Sequence, residues 1–431
     1  YIMNKSDKVS IVIPMQQHSY QTAIGLSRAK KLDRYYTTIY YNSKKFVYRF
    51  LEFVLPKDLL RRMHDRCVGE INQYVSTYAQ LIALFSLFVS RCKLLKKYEM
   101  LIRKVMFSLY ASKVAKDIKK RETKYVWSFD SWSLDFYKAL EKQDVKVVKI
   151  LDMASTAVPT IHRIIHEEYN KNKPFSNSYL RTMIMYSDEM CKTYEDEFRY
   201  ADYFLSPSVW VDKSLLAAGV PSERIISLPH GVNVERFTPK DDNYNLGHTV
   251  RFLFVGRCEG AKGIYYLLEA FRQLQEYDIE LLMVGDTFTW ENDIVNYTNN
   301  VRVLGLKRND EMPEVYKNAE VFILSSLWEG SALSMMEAMA SGMPVIASSH
   351  SCAPDMVVDG VEGFVYDPYS INELKERIIW YVNNREKIIP MGKAARRKTE
   401  QYTWEQYYKN CETVLNKIIS LENEKSSRDF K

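Results

Sequence analysis

The sequence predicts an α/β protein built as two parallel-sheet domains that face a central cleft. Three observations predict it. The chain has 431 residues, too many for one ordinary core. Residues 321–348 read as strand, polar turn, helix, Gly-Pro break and strand, which is one βαβ unit. Lys240–His248 is polar and reads as the linker between two such domains.

The βαβ unit is the most informative stretch. Val321-Phe322-Ile323-Leu324 is an apolar run that ends in Ser325-Ser326, as a buried strand does. Glu329-Gly330-Ser331 forms the turn, Ala332–Ala340 the helix, and Val345-Ile346-Ala347 the next strand. A turn at the carboxyl end of such a strand faces the ligand crevice. The N–H groups that open the helix, at Gly330, Ser331, Ala332 and Leu333, are a seat for an anion. Glu329 and Glu337 are eight residues apart, about 12 Å along a helix axis. A nucleotide-diphosphate sugar spans two such carboxylates with its negative middle over the helix start. The plainer reading is one exposed glutamate in the turn and one solvated glutamate on the helix.

Taken in order, Val9-Ser10-Ile11-Val12-Ile13-Pro14 reads as the first strand. The loop Met15–Thr22 leads to a helix from about Ala23 to Lys31. His18 in that loop is a candidate for the reaction centre, against the plainer reading of a solvated loop histidine. Residues 56–122 are mostly helical in pattern and strongly basic. Within them Ala79–Val89 (AQLIALFSLFV) is an apolar run too short to span a membrane. Arg91, Lys93, Lys96, Lys97, Arg103 and Lys104 follow it. It reads either as a buried core helix or as part of a helix pair resting on an anionic membrane surface. Tyr125–Phe129 and Lys146–Leu151 are further strands, ending at Asp130 and Asp152. His162 and His166 share a helix face, but no third ligand accompanies them.

Val250–Val255 opens the second domain. Gly256-Arg257 and then Lys262-Gly263 follow, before a helix that runs to about Leu274. A strand, a glycine turn and two cations before a helix form a phosphate seat. Glu280–Val284 and Val301–Leu304 are strands, each followed by glycine. Residues 372–420 are helical in pattern, and Glu422–Lys431 reads as a disordered polar tail.

Residues 1–150 hold 29 Lys/Arg against 13 Asp/Glu, while residues 151–431 hold 31 against 41. The basic first third points to an anionic partner: a membrane surface, a lipid-pyrophosphate carrier or an acidic glycan. No nucleic-acid-binding motif accompanies it. Six scattered cysteines, none in a CxxC pair, indicate neither a disulfide framework nor a zinc site and suit a reducing setting. The expected location is cytoplasmic, peripheral on the inner face of a membrane. No signal peptide is recognised, and the first residue, Tyr1, suits a piece of a longer protein.

Glu329-x7-Glu337 followed by Ala340-Ser341-Gly342-Met343-Pro344-Val345-Ile346-Ala347 resembles the glutamate-pair motif of the retaining GT-B glycosyltransferases of family 4 (glycosyl transferases group 1). Ser331-Ala332 replaces the family's usual Phe-Gly. Three upstream segments resemble the family's exit from its first domain, in its order and spacing: Ala201–Ser208, Gly219–Ile225 and Pro229–Phe237. Asn233 stands for the usual Asp there. Pro354–Val357 and Asp359–Val365 continue the likeness, with Asp355 for the usual Glu. It is strong over 201–405 and loose before that, and where the family often carries a histidine this chain has Ala157 and Val158.

The resemblance implies two Rossmann-like domains. Residues 1–239 would bind the acceptor, with a basic helical insertion at about 56–122. Residues 249–402 would bind the nucleotide sugar. Residues 403–421 would form a helix crossing back to the first domain, and 422–431 a tail. It also implies retaining, metal-independent transfer from a UDP- or GDP-type sugar to a hydroxyl of a glycan or lipid-linked glycan, with no cofactor. Glu329 would hold the sugar and Glu337 the ribose. Gly256, Arg257, Lys262, Gly330, Ser331, Ala332 and Leu333 would seat the pyrophosphate. Two other readings stay open: a GT-B nucleotide-sugar epimerase, and a non-catalytic scaffold subunit.

Overall fold

A computed structural model describes residues 7–15, 18–42, 48–49, 52–53, 57–64, 66–90, 92, 95–171, 188–240, 246–287 and 291–429. The apolar runs of the sequence become strands, and the strands assemble into two parallel sheets. The first holds β1 (Val9–Val12), β2 (Leu32–Thr37), β3 (Val75–Thr77), β4 (Tyr125–Phe129), β5 (Val148–Asp152), β6 (Tyr203–Ser206) and β7 (Ile225–Ser227). Their order is β3-β2-β1-β4-β5-β6-β7. The second holds β8 (Val250–Val255), β9 (Ile279–Val284), β10 (Val301–Gly305), β11 (Val321–Leu324), β12 (Val345–Ser348) and β13 (Gly363–Tyr366), ordered β10-β9-β8-β11-β12-β13. Parallel strands are covered by helices on both faces, which is why β1, β4, β6, β11 and β12 are buried at every position.

In each sheet the strand order reverses once. It does so between β1 and β4 in the first and between β8 and β11 in the second. Crevices open at the carboxyl ends of strands at such points. The turns after β1 and β4 carry His18 and Asp130, and those after β8 and β11 carry Arg257 and Glu329. Topology alone therefore gathers the candidate residues at two crevices.

The C-terminal helix, Trp404–Asp429, returns to the first sheet. Tyr407, Cys411, Val414, Leu415 and Ile418 join the core that contains Val9, Ile11 and Trp127. The Tyr407 and Thr22 hydroxyls are hydrogen bonded at 2.9 Å. Gly25 is needed at this contact, because a Cβ there would lie 2.8 Å from Tyr408 Cα.

Several local expectations change. The first helix begins at Ser19 rather than near Ala23 and ends at Arg28. Residues 56–122 contain an edge strand, β3, between helices Lys57–His64 and Gln80–Val89. The helical pattern expected over 372–420 resolves into three helices, Ile371–Asn383, Ile388–Thr399 and the C-terminal one. The expected polar tail continues that last helix to Asp429. Glu422 holds it down by accepting from Tyr203 at 2.7 Å and from Lys425 at 2.8 Å, an i,i+3 pair. Most of the linker, residues 241–245, lies outside the described residues, as do Gln16 and Gln17, Arg91 and Lys93.

Candidate active site

The strand–turn–helix of the second domain forms as the sequence predicts: β11, the Ser325–Ala332 turn, and the helix Leu333–Ala340. The turn is held from several sides. Glu329 N–H donates to His350 O at 3.0 Å, and Leu327 N–H donates to Ala261 O at 2.8 Å. Gly263 has φ +62° and a Cβ there would lie 2.0 Å from Ser325 O, so only glycine lets the helix after β8 approach the end of β11.

Glu329 Oε1 accepts from Ser326 Oγ at 2.9 Å and forms an ion pair with Lys262 Nζ. Both side chains are mostly buried. Gly256 lies beside Lys262, whose Cε would touch a Cβ at that glycine. The structure thus brings together Glu329, Lys262, Gly256 and the helix opening at Gly330–Leu333. Arg257 stands apart. It pairs with Glu259 at 2.8 Å and is 61% exposed on the rim. Burial pushes the Glu259 carboxyl up, and Arg257 opposes that shift.

Glu337 occupies a second compartment. Its Oε2 accepts from the Tyr316 hydroxyl at 2.8 Å. Burial pushes its carboxyl up, and the Tyr316 hydrogen bond and the nearby Arg236 oppose this. Glu337 and Leu333 line a cavity of about 520 Å³ together with Arg236, Asn233 and Trp404. Asn233, in place of the expected Asp, accepts from Arg236 N–H at 3.0 Å.

The opposing wall is the first domain. Gly330 packs directly on it, since a Cβ there would lie 2.1 Å from Ala154 O. Thr156 Oγ1 donates to Glu329 O at 2.8 Å, and Trp210 Nε1 donates to Thr156 Oγ1 at 2.8 Å. The Trp210 ring stacks on His350 at 3.8 Å, and His350 Nδ1 lies 2.9 Å from Leu327 O. Ser208 Oγ donates to Gly330 O at 2.9 Å. Thr156, Trp210 and Ser208 therefore fix the turn from across the cleft, and His350, of the second domain, holds it from its own side between Trp210 and Leu327. Sequence reasoning assigned none of them a role, although Thr156 lies just past the carboxyl end of β5.

His18 stands at the start of the first helix without a side-chain capping bond and sits on the same wall, not in solvent. Its Nε2 lies 3.2 Å from Asp152 Oδ1, and Trp127 Nε1 donates to Asp152 Oδ2 at 2.9 Å. The His18 ring lies 4.2 Å from that of His230, whose burial drives its pKa well below the ordinary histidine value. Asp130, which accepts from Ala154 N–H at 2.9 Å, is pushed up to about 6 by burial. His18, Asp152 and His230 place ligand atoms within 4.8 Å of one another, a composition able to hold a metal ion. His162 and His166 face each other at 2.9 Å on their own helix and belong to no such group among the described residues.

The chain resembles known proteins in sequence and in fold. Residues 240–398 match the family described as glycosyl transferases group 1. Spore coat protein SA of Bacillus subtilis (strain 168) is 30% identical over 181 residues, 38% of this chain and 48% of that protein. The sulfoquinovosyl transferase of Arabidopsis thaliana is 29% identical over 219 residues, 48% of this chain and 42% of that protein. The chain thus spans about half the length of these curated relatives. Among solved structures, sucrose-phosphate synthase from Thermosynechococcus elongatus superposes with a TM-score of 0.65 at 16% identity, covering 96% of this chain and 99% of that one. Anabaena HepE, solved in complex with UDP, superposes with a TM-score of 0.60 at 15% identity, covering 95% and 100%. Residues 240–398 thus match the glycosyl transferases group 1 family, and the chain carries the two-domain GT-B fold.

Proposed function

We propose that the protein transfers a sugar from a nucleotide-diphosphate sugar to a hydroxyl of a glycan or lipid-linked glycan, with retention of configuration and without a divalent metal. One observation carries the reading. Glu329 in the turn and Glu337 in the following helix belong to one strand–turn–helix unit, with Lys262 paired to Glu329 and the first-domain wall closed over the turn. Glu329 holds the donor sugar and Glu337 the ribose. The N–H groups at Gly330, Ser331 and Ala332 take the pyrophosphate, whereas Leu333 N–H already donates to Ser331 O at 2.9 Å. The leaving diphosphate gains negative charge in the transition state, and Lys262, Arg257 and the helix start supply positive charge where it develops. A UDP-type donor is supported by the structural relative solved with UDP, and by another structure of Anabaena HepE in complex with UDP-glucose.

The His18–Asp152 pair, 3.2 Å apart on the opposing wall, would receive the acceptor hydroxyl. A lipid-linked acceptor would bring the basic first domain to an anionic membrane as a peripheral contact.

A thermal-shift panel of UDP, GDP, ADP and CMP, with chelator present, tests the donor half. The expected result is a rise with one nucleoside diphosphate that Glu337→Ala reduces. At a hundred times the dissociation constant the stabilisation is about 2.7 kcal/mol. A wild type that responds to no nucleotide overturns the reading and favours a scaffold role. Product analysis by NMR then reads the anomeric configuration, and an inverted product overturns retention.

A further inference from the structure

The helical pair in the first domain turns apolar side chains outward although its inner face is already packed. On the helix Gln80–Val89, Ala83 points inward and joins Ile39 and Met106 in a small core. On the outer face, Leu81, Phe85 and Phe88 follow one another at helical spacing and are 51–69% exposed. The next helix, Glu99–Arg121, repeats the pattern: Met106 and Tyr110 are buried, while Met100, Leu101, Val105 and Leu109 are 41–84% exposed. Of the two readings of this run, a buried core helix or an interfacial one, the half-exposed surface favours the second. Soluble monomers seldom expose so many large apolar residues together, and such a patch marks a binding face.

Charge selects the occupant. Lys96 and Lys97 lie between the two helices and are exposed, and Lys104 is exposed among the apolar residues of the second. Arg103 precedes Lys104 and pairs at 3.6 Å with Glu99, the acidic residue in that stretch, which leaves the three lysines as the net charge. A second copy docked by the same face would set these cations against their own counterparts. A bilayer accepts both parts at once: side chains among the acyl chains, ammonium groups at anionic phosphates. Among the described residues no helix is long and apolar enough to cross a membrane, so the pair would lie in the interface plane.

We infer that the outer face of Gln80–Val89 and Glu99–Arg121 docks the protein peripherally on an anionic lipid bilayer. The location adds a consequence. Ile39, which anchors the pair, lies two residues beyond the carboxyl end of β2, the sheet edge that also presents His18 and Asp152. The bilayer thereby meets the molecule at the side of the cleft where the acceptor enters; this last step rests on the transferase reading, while the docking itself does not.

The test is co-sedimentation with vesicles of phosphatidylcholine alone, and of phosphatidylcholine with one-third phosphatidylglycerol. The wild type is expected to sediment with the mixed vesicles, less so at high salt, and to ignore the neutral ones. The triple substitution Leu81→Ser, Phe85→Ser, Phe88→Ser should weaken partition at least about tenfold, because each removes an inserted apolar side chain. Reversal of Lys96, Lys97 and Lys104 to Glu should abolish the preference for anionic lipid. All variants should keep the wild-type thermal shift with nucleotide, which separates failure here from failure of the donor reading. Absence of wild-type binding, or equal binding by the triple variant, overturns the inference. So does a wild-type dimer that the triple variant makes monomeric, which would assign the face to a second copy.

Discussion

Tyr316 donates a 2.8 Å hydrogen bond to Glu337 Oε2, joining two helices that flank β11. The bond aims a carboxylate that burial would otherwise disfavour. Glu337→Ala should weaken nucleotide binding by roughly ten- to a hundredfold, the value of a hydrogen-bonded charged group. Tyr316→Phe keeps the carboxylate but loosens it, and should cost roughly two- to tenfold. Calorimetric titration with the responding nucleotide measures both. Equal affinity in wild type and Glu337→Ala would remove the ribose role.

Lys262 and Glu329 are neighbours by ion pair, with Ser326 as the second partner of the carboxylate. Lys262→Met leaves Glu329 buried with one neutral partner and deletes the cation closest to the turn. A tenfold to hundredfold fall in kcat/KM is expected. Arg257→Met, on the exposed rim with Glu259 as its partner, should cost less. If the two variants fall equally in donor turnover, the assignment of Lys262 as the principal cation is wrong.

Gly330 leaves no room for a side chain, since a Cβ would lie 2.1 Å from Ala154 O on the other domain. Gly330→Ala must therefore push the turn and the first-domain wall apart, breaking the Thr156–Glu329 and Ser208–Gly330 hydrogen bonds. Donor binding should survive better than transfer, because the donor groups sit on the second domain. Small-angle scattering should show a larger radius of gyration than the wild type. An unchanged radius together with unchanged turnover would show that the close contact has no part in the reaction.

Much of this arrangement was legible in the sequence, for definite physical reasons. Buried parallel strands are apolar runs such as Val321–Leu324, and they stand out without any partner being known. Glu329 and Glu337 share one continuous strand–turn–helix, so their spacing is local. The cross-cleft contacts were not legible, because Thr156 and Glu329 are 173 positions apart and only the folded domains bring them together. The same holds for His18, Asp152 and His230, which come from three separate strand ends. The edge strand Val75–Thr77 is three residues long, too short for an alternating pattern. The outward apolar stripe at Leu81, Phe85 and Phe88 was hidden because a run apolar all round cannot show which side faces water.

On the opposing wall, His18 and Asp152 should affect acceptor use and leave donor binding alone. Asp152→Asn keeps the shape of the site but removes the charge facing the imidazole. A rise in the acceptor KM or a fall in kcat is expected, with the nucleotide thermal shift as in wild type. The chelator arm matters here, because these two residues and His230 could also hold a metal ion. Transfer that stops with chelator and returns with zinc would overturn metal-independent transfer.

Glu197 supports this wall from behind and gives the protein a pH signature. Its buried carboxyl accepts from Ser133 N–H at 2.6 Å and Ser131 N–H at 2.9 Å, shaping the turn after β4. Burial, with the charge of Asp130 adding to it, pushes its pKa up from 4.5 to about 8. A carboxyl with a raised folded-state pKa binds its proton more tightly when folded. Its contribution to stability is therefore complete below the unfolded value of 4.5 and is lost as pH rises through about 8. Each unit of the displacement is worth up to about 1.4 kcal/mol. Glu197→Gln is neutral at every pH and cannot lose that proton. Urea unfolding from pH 5 to pH 8.5 should show wild-type stability declining relative to the variant, and the difference between the two curves isolates this group from all others that titrate. Parallel curves would mean that the carboxyl ionises without cost, and that the two N–H donors compensate its burial in full.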